Sequence, residues 1–352
     1  MAATARDRLF ARGSDFLGVN YPILCGAMTW VSDPRLVATV GNAGGFGCLA
    51  GGNTPLEILR KQIDEVRQLS AKPFALNLIT ISPSYREHLK LIGEMQLPFV
   101  IFAGSFPRER EVALAKDSGA KVICFASTLS IAQRMLKAGA DALILEGMEA
   151  GGHVGHVSLT ILLQQVLFKV NEVPVFVAGG IGTGRMAAHL LLMGAAGVQL
   201  GTRFAVAEES CAHPAFKQAF IDARAREAVS TPQFDSRLPV VAVRALRNKG
   251  HDDFSRLQLE LLNRLSNGTI TRTAAQEEVE KFWMGALRRA VIEGDVEHGS
   301  MMAGQSVGLV KQILPVKAII DELITDIDHE LAAVRNLLLE PESVATAASP
   351  AG

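Results

Sequence analysis

Cysteine, tyrosine and tryptophan are scarce in this 352-residue chain, at four, two and two copies, and aromatic residues reach only 6%. Cys25, Cys48, Cys124 and Cys211 show no C-x-x-C spacing, and three of them sit in strand-like apolar runs. They read as small buried hydrophobes in a reducing compartment, with no disulfide framework. An excess of one charge is also missing. Lys plus Arg number 35 against 36 Asp plus Glu, so nothing draws the chain onto nucleic acid phosphates or anionic lipid. No uninterrupted run of about 18 apolar residues occurs, so no membrane span is expected. Met1 to Gly13 carries charge and lacks the apolar stretch of a signal peptide, which predicts a cytoplasmic protein. Apolar residues are plentiful at 49%, with 20% charged and 32 glycines. That balance excludes a disordered or collagen-like chain and predicts a soluble globular protein whose partners are small molecules.

Brief apolar runs recur along the first two hundred residues: Tyr21-Cys25, Phe46-Leu49, Phe74-Leu78, Phe99-Phe102, Val122-Phe125, Ala142-Leu145, Val175-Val177 and Val198-Leu200. The repeat is about 25 residues, room for one strand, one helix and two loops. The runs are continuously apolar, as parallel strands are when helices cover one side and other strands fill the other. Between them, Thr54 with Pro55 and Glu57 reads as a helix N-cap, an N1 proline and an acidic first turn, and Ile58, Ile63 and Val66 fall on one face. Asp33-Pro34 opens a helix in the same way. Eight evenly spaced βα units fit a closed barrel better than an open doubly wound sheet, so the expected class is α/β, a TIM (β/α)8 barrel.

After Thr202 the period stops. Charge-rich helical segments such as Glu208-Arg226 and Arg256-Leu265 surround a loop at Thr231-Pro239. The expected division is a barrel from residues 1–204 with 285–325, an inserted, mostly helical lid or substrate domain at 205–284, and a C-terminal helix with a flexible tail at 326–352. Met284-Ile324 returns to close the barrel, and the tail from Glu340 is small and polar.

Glycine follows almost every predicted strand, at the ends that form the active face of such a barrel. Many of these glycines need do no more than make tight turns. Two clusters point further. Val177-Ala178-Gly179-Gly180-Ile181-Gly182 and Gly201-Thr202-Arg203 end adjacent strands, where bare backbone N–H groups and a helix N-terminus suit a phosphate. No G-x-x-x-x-G-K-[ST] is present, so an ATP-hydrolysing loop is not supported. The second cluster, Glu146 to Gly155, sets His153 among glycines that cannot bury it, so the ring is expected to face the pocket and exchange protons near neutral pH; the alternative is a surface histidine in a flexible loop. His153 and His156 lack an acidic or cysteine partner at a ligand spacing, so no metal is expected. His88, His189 and His329 lie in helical stretches and are expected to face solvent.

Several blocks together resemble the FMN-dependent barrel family of nitronate monooxygenases and flavin-type enoyl-[acyl-carrier-protein] reductases. They are Tyr21-Pro22-Ile23 with Gly26-Ala27-Met28, Asn42 to Gly47, Pro73 to Asn77, Glu146 to Gly155, Ala178-Gly179-Gly180, Gly201 to Phe204, Ala212-His213-Pro214, Val243 to Asn248 and Ser300 to Gln305. The resemblance covers roughly residues 18 to 325. It implies that the backbone of Ala27 and Met28 and the Asn77 side chain hold the isoalloxazine ring. Glu146 then faces the flavin, Gly152 belongs to the cofactor site, and Gly179, Gly180, Gly201 and Thr202 take the FMN phosphate. Gln305 closes over the flavin, and His153 stands over it as the catalytic group.

Two reactions use that constellation. In the reductase, NADH or NADPH supplies electrons for reducing an enoyl thioester, free or carried on acyl carrier protein; in the alternative, a nitronate is oxidised with O2. Three features lean to the reductase: the string Glu-Gly-Met-Glu-Ala-Gly-Gly-His with the segment from Gly294-Asp295-Val296 to Gln305, a fifth strand ending Val122-Ile123-Cys124-Phe125 without a lysine, and a group of basic residues in the inserted segment. Arg244, Arg247 and Lys249 are expected to form a basic rim for an acidic carrier, residues 229–239 to line the substrate pocket, and a homodimer is compatible with the resemblance.

Overall fold

A computed structural model describes residues 4–339. The strands are β1 (Ile23–Cys25), β2 (Phe46–Ala50), β3 (Phe74–Ile79), β4 (Phe99–Ala103), β5 (Lys121–Ala126), β6 (Ala142–Glu146), β7 (Gly152–His153), β8 (Val175–Ala178), β9 (Gly197–Leu200), β10 (Ala228–Ser230) and β11 (Val243–Leu246). All but β7, β10 and β11 form a closed parallel barrel in the order β1-β2-β3-β4-β5-β6-β8-β9, with β9 returning to β1 at Leu24↔Gln199. The eight apolar runs are these eight strands, to within two residues at each end. They are apolar throughout because both faces are buried, β2 against the interior at Phe46 and Cys48 and against the helices at Leu49.

Helices α1 (Ala5–Leu17), α2 (Pro34–Asn42), α3 (Leu56–Leu69), α4 (Tyr85–Glu94), α5 (Glu109–Asp117), α6 (Leu129–Lys137), α7 (Leu159–Leu162) and α8 (Gly184–Leu192) surround the strands. Asp33 caps α2 as its sequence promises, accepting from the Leu36 N–H at 2.9 Å with Pro34 in the first turn. The reading of α3 shifts by one residue. Pro55 occupies the cap, the helix starts at Leu56, and the Thr54 carbonyl meets the His88 ring at 2.8 Å instead. Leu59, Ile63 and Val66 therefore form its buried face, and Ile58 is 50% exposed, because one position rotates a helix face by about 100°.

The N-terminal ends of the strands are plugged. Phe16 and Leu17 at the end of α1 pack on the interior cluster of Phe46, Phe99, Ile144 and Phe176, with Phe46 and Phe99 edge to face at 5.1 Å. Any cavity must therefore open at the other end of the barrel.

Beyond β9 come α9 (Thr202–Ala205), α10 (Pro214–Asp222), α11 (Lys249–Ser266), α12 (Arg272–Arg288) and α13 (Val316–Leu339). α11 and α12 share a separate apolar cluster of Leu238, Val243, Phe254, Leu261, Val279 and Trp283, with the rings of Phe254 and Trp283 4.3 Å apart. A division at 284 falls inside α12 and one at 325 inside α13, since neither Met284 nor Thr325 carries a helix stop. α13 packs against α8, α1 and α2 and completes the helical layer. The tail expected from Glu340 lies outside the described residues. Among those residues no helix is long and apolar enough to cross a membrane.

The sequence gives no hint of a second sheet. β7, from the loop after β6, pairs antiparallel with β11, and β11 with β10. Each strand is too short for a periodic signal, yet the ladder ties the inserted segment to His153 at Val243↔His153.

Candidate active site

A cavity of about 490 Å³ lies at the C-terminal ends of the barrel strands, within the roughly 300–1,000 Å³ usual for small-molecule sites. Ala27, Met28, Asn77, Glu146, Gly152, His153, Gly179, Gly180, Gly201 and Thr202 all line it. Gln305 does not. Its backbone N–H donates to the Glu149 carbonyl at 2.9 Å, its side chain is exposed, and its neighbours Gly304 and Ser306 face the cavity instead.

Each wall is fixed locally. Ser32 donates to the Gly26 carbonyl at 2.9 Å and accepts from the Met28 N–H at 3.0 Å, which sets the turn after β1. Asn77 is anchored through Nδ2 to the Ile101 carbonyl at 3.2 Å. Gly179 has a φ of 93°, and a Cβ there would stand 2.8 Å from the Gly147 carbonyl oxygen, so this turn accepts only glycine. Among the described residues no acceptor meets the backbone N–H of Gly179, Gly180 or Gly201. Thr202 Oγ1 accepts from the Gly304 N–H at 3.0 Å, which fastens the returning segment over this corner.

The loop after β6 is clamped from beneath. The Glu149 carboxylate accepts the Leu159 N–H at 3.0 Å, and Gly151 meets the backbone of Ala303 and Gly304 so closely that a Cβ would lie 2.6 Å away. Arg244, expected on a basic rim, is only 5% exposed. It donates to the Met148 carbonyl at 3.0 Å and the Ala228 carbonyl at 2.7 Å, so it braces the loop and contributes no surface charge. Lys249 pairs with Glu297, which dissolves the expected rim further. The segment expected to line the pocket, 229–239, does not reach it; Thr231 and Leu238 are buried elsewhere, and Val241 provides the wall.

His153 opens onto the cavity, with Nε2 3.9 Å from Glu280 Oε1 on α12 and side-chain exposures of 39% and 37%. Its surface is open to the cavity while protein surrounds the ring, and this burial lowers its proton affinity; Glu280 opposes the shift. Glu146 has no ionic or hydrogen-bonding partner among the described residues, and burial pushes its carboxyl up to about 8, leaving it neutral at pH 7. The Cys124 thiol, also in the wall, is pushed up to about 12 by burial and is inert.

One histidine assignment changes, two hold, and one polar residue is added. His88, expected in solvent, is fully buried, with Nε2 2.8 Å from the Thr54 carbonyl. His189 is half exposed and paired with Glu330, and His329 is exposed. Gln199, which carries no motif, lines the cavity at 8% exposure, and its Oε1 has no partner among the described residues. The signal was present: a glutamine inside an otherwise apolar strand.

The family model for nitronate monooxygenase matches residues 11–88 and 79–326. The chain belongs to the nitronate monooxygenase family. It is an enzyme, an oxidoreductase. Among solved structures this family member is similar to FabK from Thermotoga maritima, at 37% identity and a TM-score of 0.82, covering 93% of this chain and 98% of that one. It is also similar to the nitroalkane oxidase from Streptomyces ansochromogenes, at 26% identity and a TM-score of 0.75, covering 91% and 99%. A curated relative, (3aS,4S,5R,7aS)-5-hydroxy-7a-methyl-1-oxo-octahydro-1H-indene-4-carboxyl-CoA dehydrogenase from Mycobacterium tuberculosis, is 30% identical over 89% of this chain and 94% of its own.

Proposed function

We propose that this family member reduces an enoyl thioester with electrons from NADH or NADPH, using FMN. The supporting observation is His153 held over a cavity whose far corner offers unpaired backbone N–H groups, in a chain whose likeness to FabK, an enoyl-acyl-carrier-protein reductase, runs nearly end to end. The residues fit a flavin mononucleotide. N–H groups at Gly179, Gly180 and Gly201 suit its phosphate, and the buried, unpartnered Gln199 Oε1 suits a ring N–H. Ala27, Met28 and Asn77 would hold the ring, and Glu146, neutral at pH 7, could donate a hydrogen bond to it without adding charge.

Bound there, FMN supplies hydride-transfer chemistry. The chain supplies the rest. The apolar walls Ile79, Ile101 and Phe102 exclude water, and His153 gives a proton to the α-carbon of the thioester. The segment 205–293 acts as the substrate lid, since its Val241, Trp283 and Met284 form the outer wall. The relative that acts on a carboxyl-CoA supports a thioester substrate. The nitroalkane oxidase likeness favours a second reading, oxidation of a nitronate with O2, in the same cavity.

Steady-state assays separate them. Without O2, the FMN-loaded enzyme is expected to oxidise NADH or NADPH beyond one equivalent only when a crotonyl thioester is added, with the saturated thioester found by mass spectrometry. Rapid O2 uptake with an alkyl nitronate, and no thioester reduction, would replace this reading by the second.

A further inference from the structure

The titratable side chains in the cavity wall are Cys124, Glu146, His153 and Glu280. The first three belong to the barrel strands and the loop after β6. Glu280 alone comes from α12, and holding a cofactor gives it no task. Its separation of 3.9 Å from His153 Nε2 is beyond hydrogen-bond length but within the range where a carboxylate stabilises an imidazolium. One body carries both groups. β11 fixes the His153 backbone at Val243↔His153, and Val243 shares an apolar cluster with Trp283, less than one helical turn beyond Glu280. The inserted segment therefore contacts both groups, through β11 at His153 and through α12 at Glu280.

We propose that Glu280 is a positioning residue for His153: its carboxylate orients the ring in the cavity and provides the countercharge with which the ring carries a proton there. This deepens the enoyl-thioester reading and rests on it for the use of the proton. The C=C bond gains hydride at the β-carbon, ultimately from the nicotinamide, and a proton at the α-carbon from the ring. The ring regains its proton from water, and Glu280 stays a carboxylate throughout. Burial alone disfavours the charged ring, and Glu280 is the group that opposes it. Other neighbours do not: Glu146 on β6 is neutral at pH 7, Arg244 on β11 is committed to two carbonyls, and the return segment presents Met302.

NMR titration of histidine-labelled, FMN-loaded protein tests this, with the His153 signal assigned by its loss in His153→Asn. In Glu280→Gln the His153 pKa is expected to fall by about one unit, a tenfold smaller imidazolium fraction at a given pH. Glu280→Asp restores part of it. The pH limb of turnover that requires the charged ring moves down with it, at unchanged KM. An unaltered His153 pKa in Glu280→Gln, at wild-type flavin content and melting temperature, overturns the proposal. If that variant loses flavin, Glu280→Ala decides by the same titration. A pKa shift in a protein that reduces no enoyl thioester would keep the pair and remove the functional reading; normal reduction with no shift would do the reverse.

Discussion

Glu146 ends its strand with a carboxyl that nothing pairs among the described residues, and this has a pH consequence. The unfolded chain loses that proton near 4.5, while the native state holds it to about 8. The native pKa is raised, so the group's stabilising contribution is complete below 4.5, declines as pH rises and is gone by about 8. Glu146→Gln removes the titration. At matched flavin saturation its melting temperature is expected to exceed that of wild type by roughly 5 °C or more at pH 8, with the gap closing toward pH 5. A gap independent of pH would mean that the carboxyl titrates normally. Single residues were unevenly legible. His153 stood out because glycines on both sides leave an imidazole nowhere to hide, and Gln199 was equally readable as a polar interruption of an apolar strand. Glu280 carried no local signal, because an acidic residue on an amphipathic helix looks the same whether it meets water or a cavity.

Among the elements, β7 and β11 matter out of proportion to their length. Arg244 alternates with Val243 and Ala245 along β11, all of them buried, and its guanidinium spans two carbonyls that hold the loop carrying His153. Arg244→Met leaves those carbonyls without a donor, and is expected to cost about 2–4 kcal/mol in denaturant unfolding and at least tenfold in kcat. Wild-type stability with wild-type kcat would show that the loop needs no brace. Sequence reasoning took this arginine for a rim charge, since a cation has no address until its strand is paired. The barrel strands were legible for the opposite reason: burial on both faces writes a continuous apolar run, whereas a two-residue strand writes nothing. Helix starts were readable where a side chain caps, as at Asp33, and slipped by one where Pro55 takes the cap itself.

At the scale of the molecule, closure decides where chemistry is possible. α1 plugs one end of the barrel, α13 returns after the inserted segment to pack on α8, and Val241, Trp283 and Met284 of that segment line the remaining mouth. The βα period made the barrel readable, and the glycines after its strands marked the corner at Gly179, Gly180 and Gly201 and the loop of His153, but neither Gln199 nor the groups that arrive from the insertion. Those depend on contacts between residues far apart in the chain, which periodicity does not record. The decisive experiment is anaerobic stopped-flow absorbance of the FMN-loaded enzyme, mixed with NADH or NADPH and then with a crotonyl thioester. The flavin band is expected to bleach with the nicotinamide and recover with the thioester; in His153→Ala it bleaches at the wild-type rate and recovers at least about 100-fold more slowly. A wild-type flavin that neither nicotinamide bleaches, but that a nitronate does, would contradict the enoyl-thioester reading.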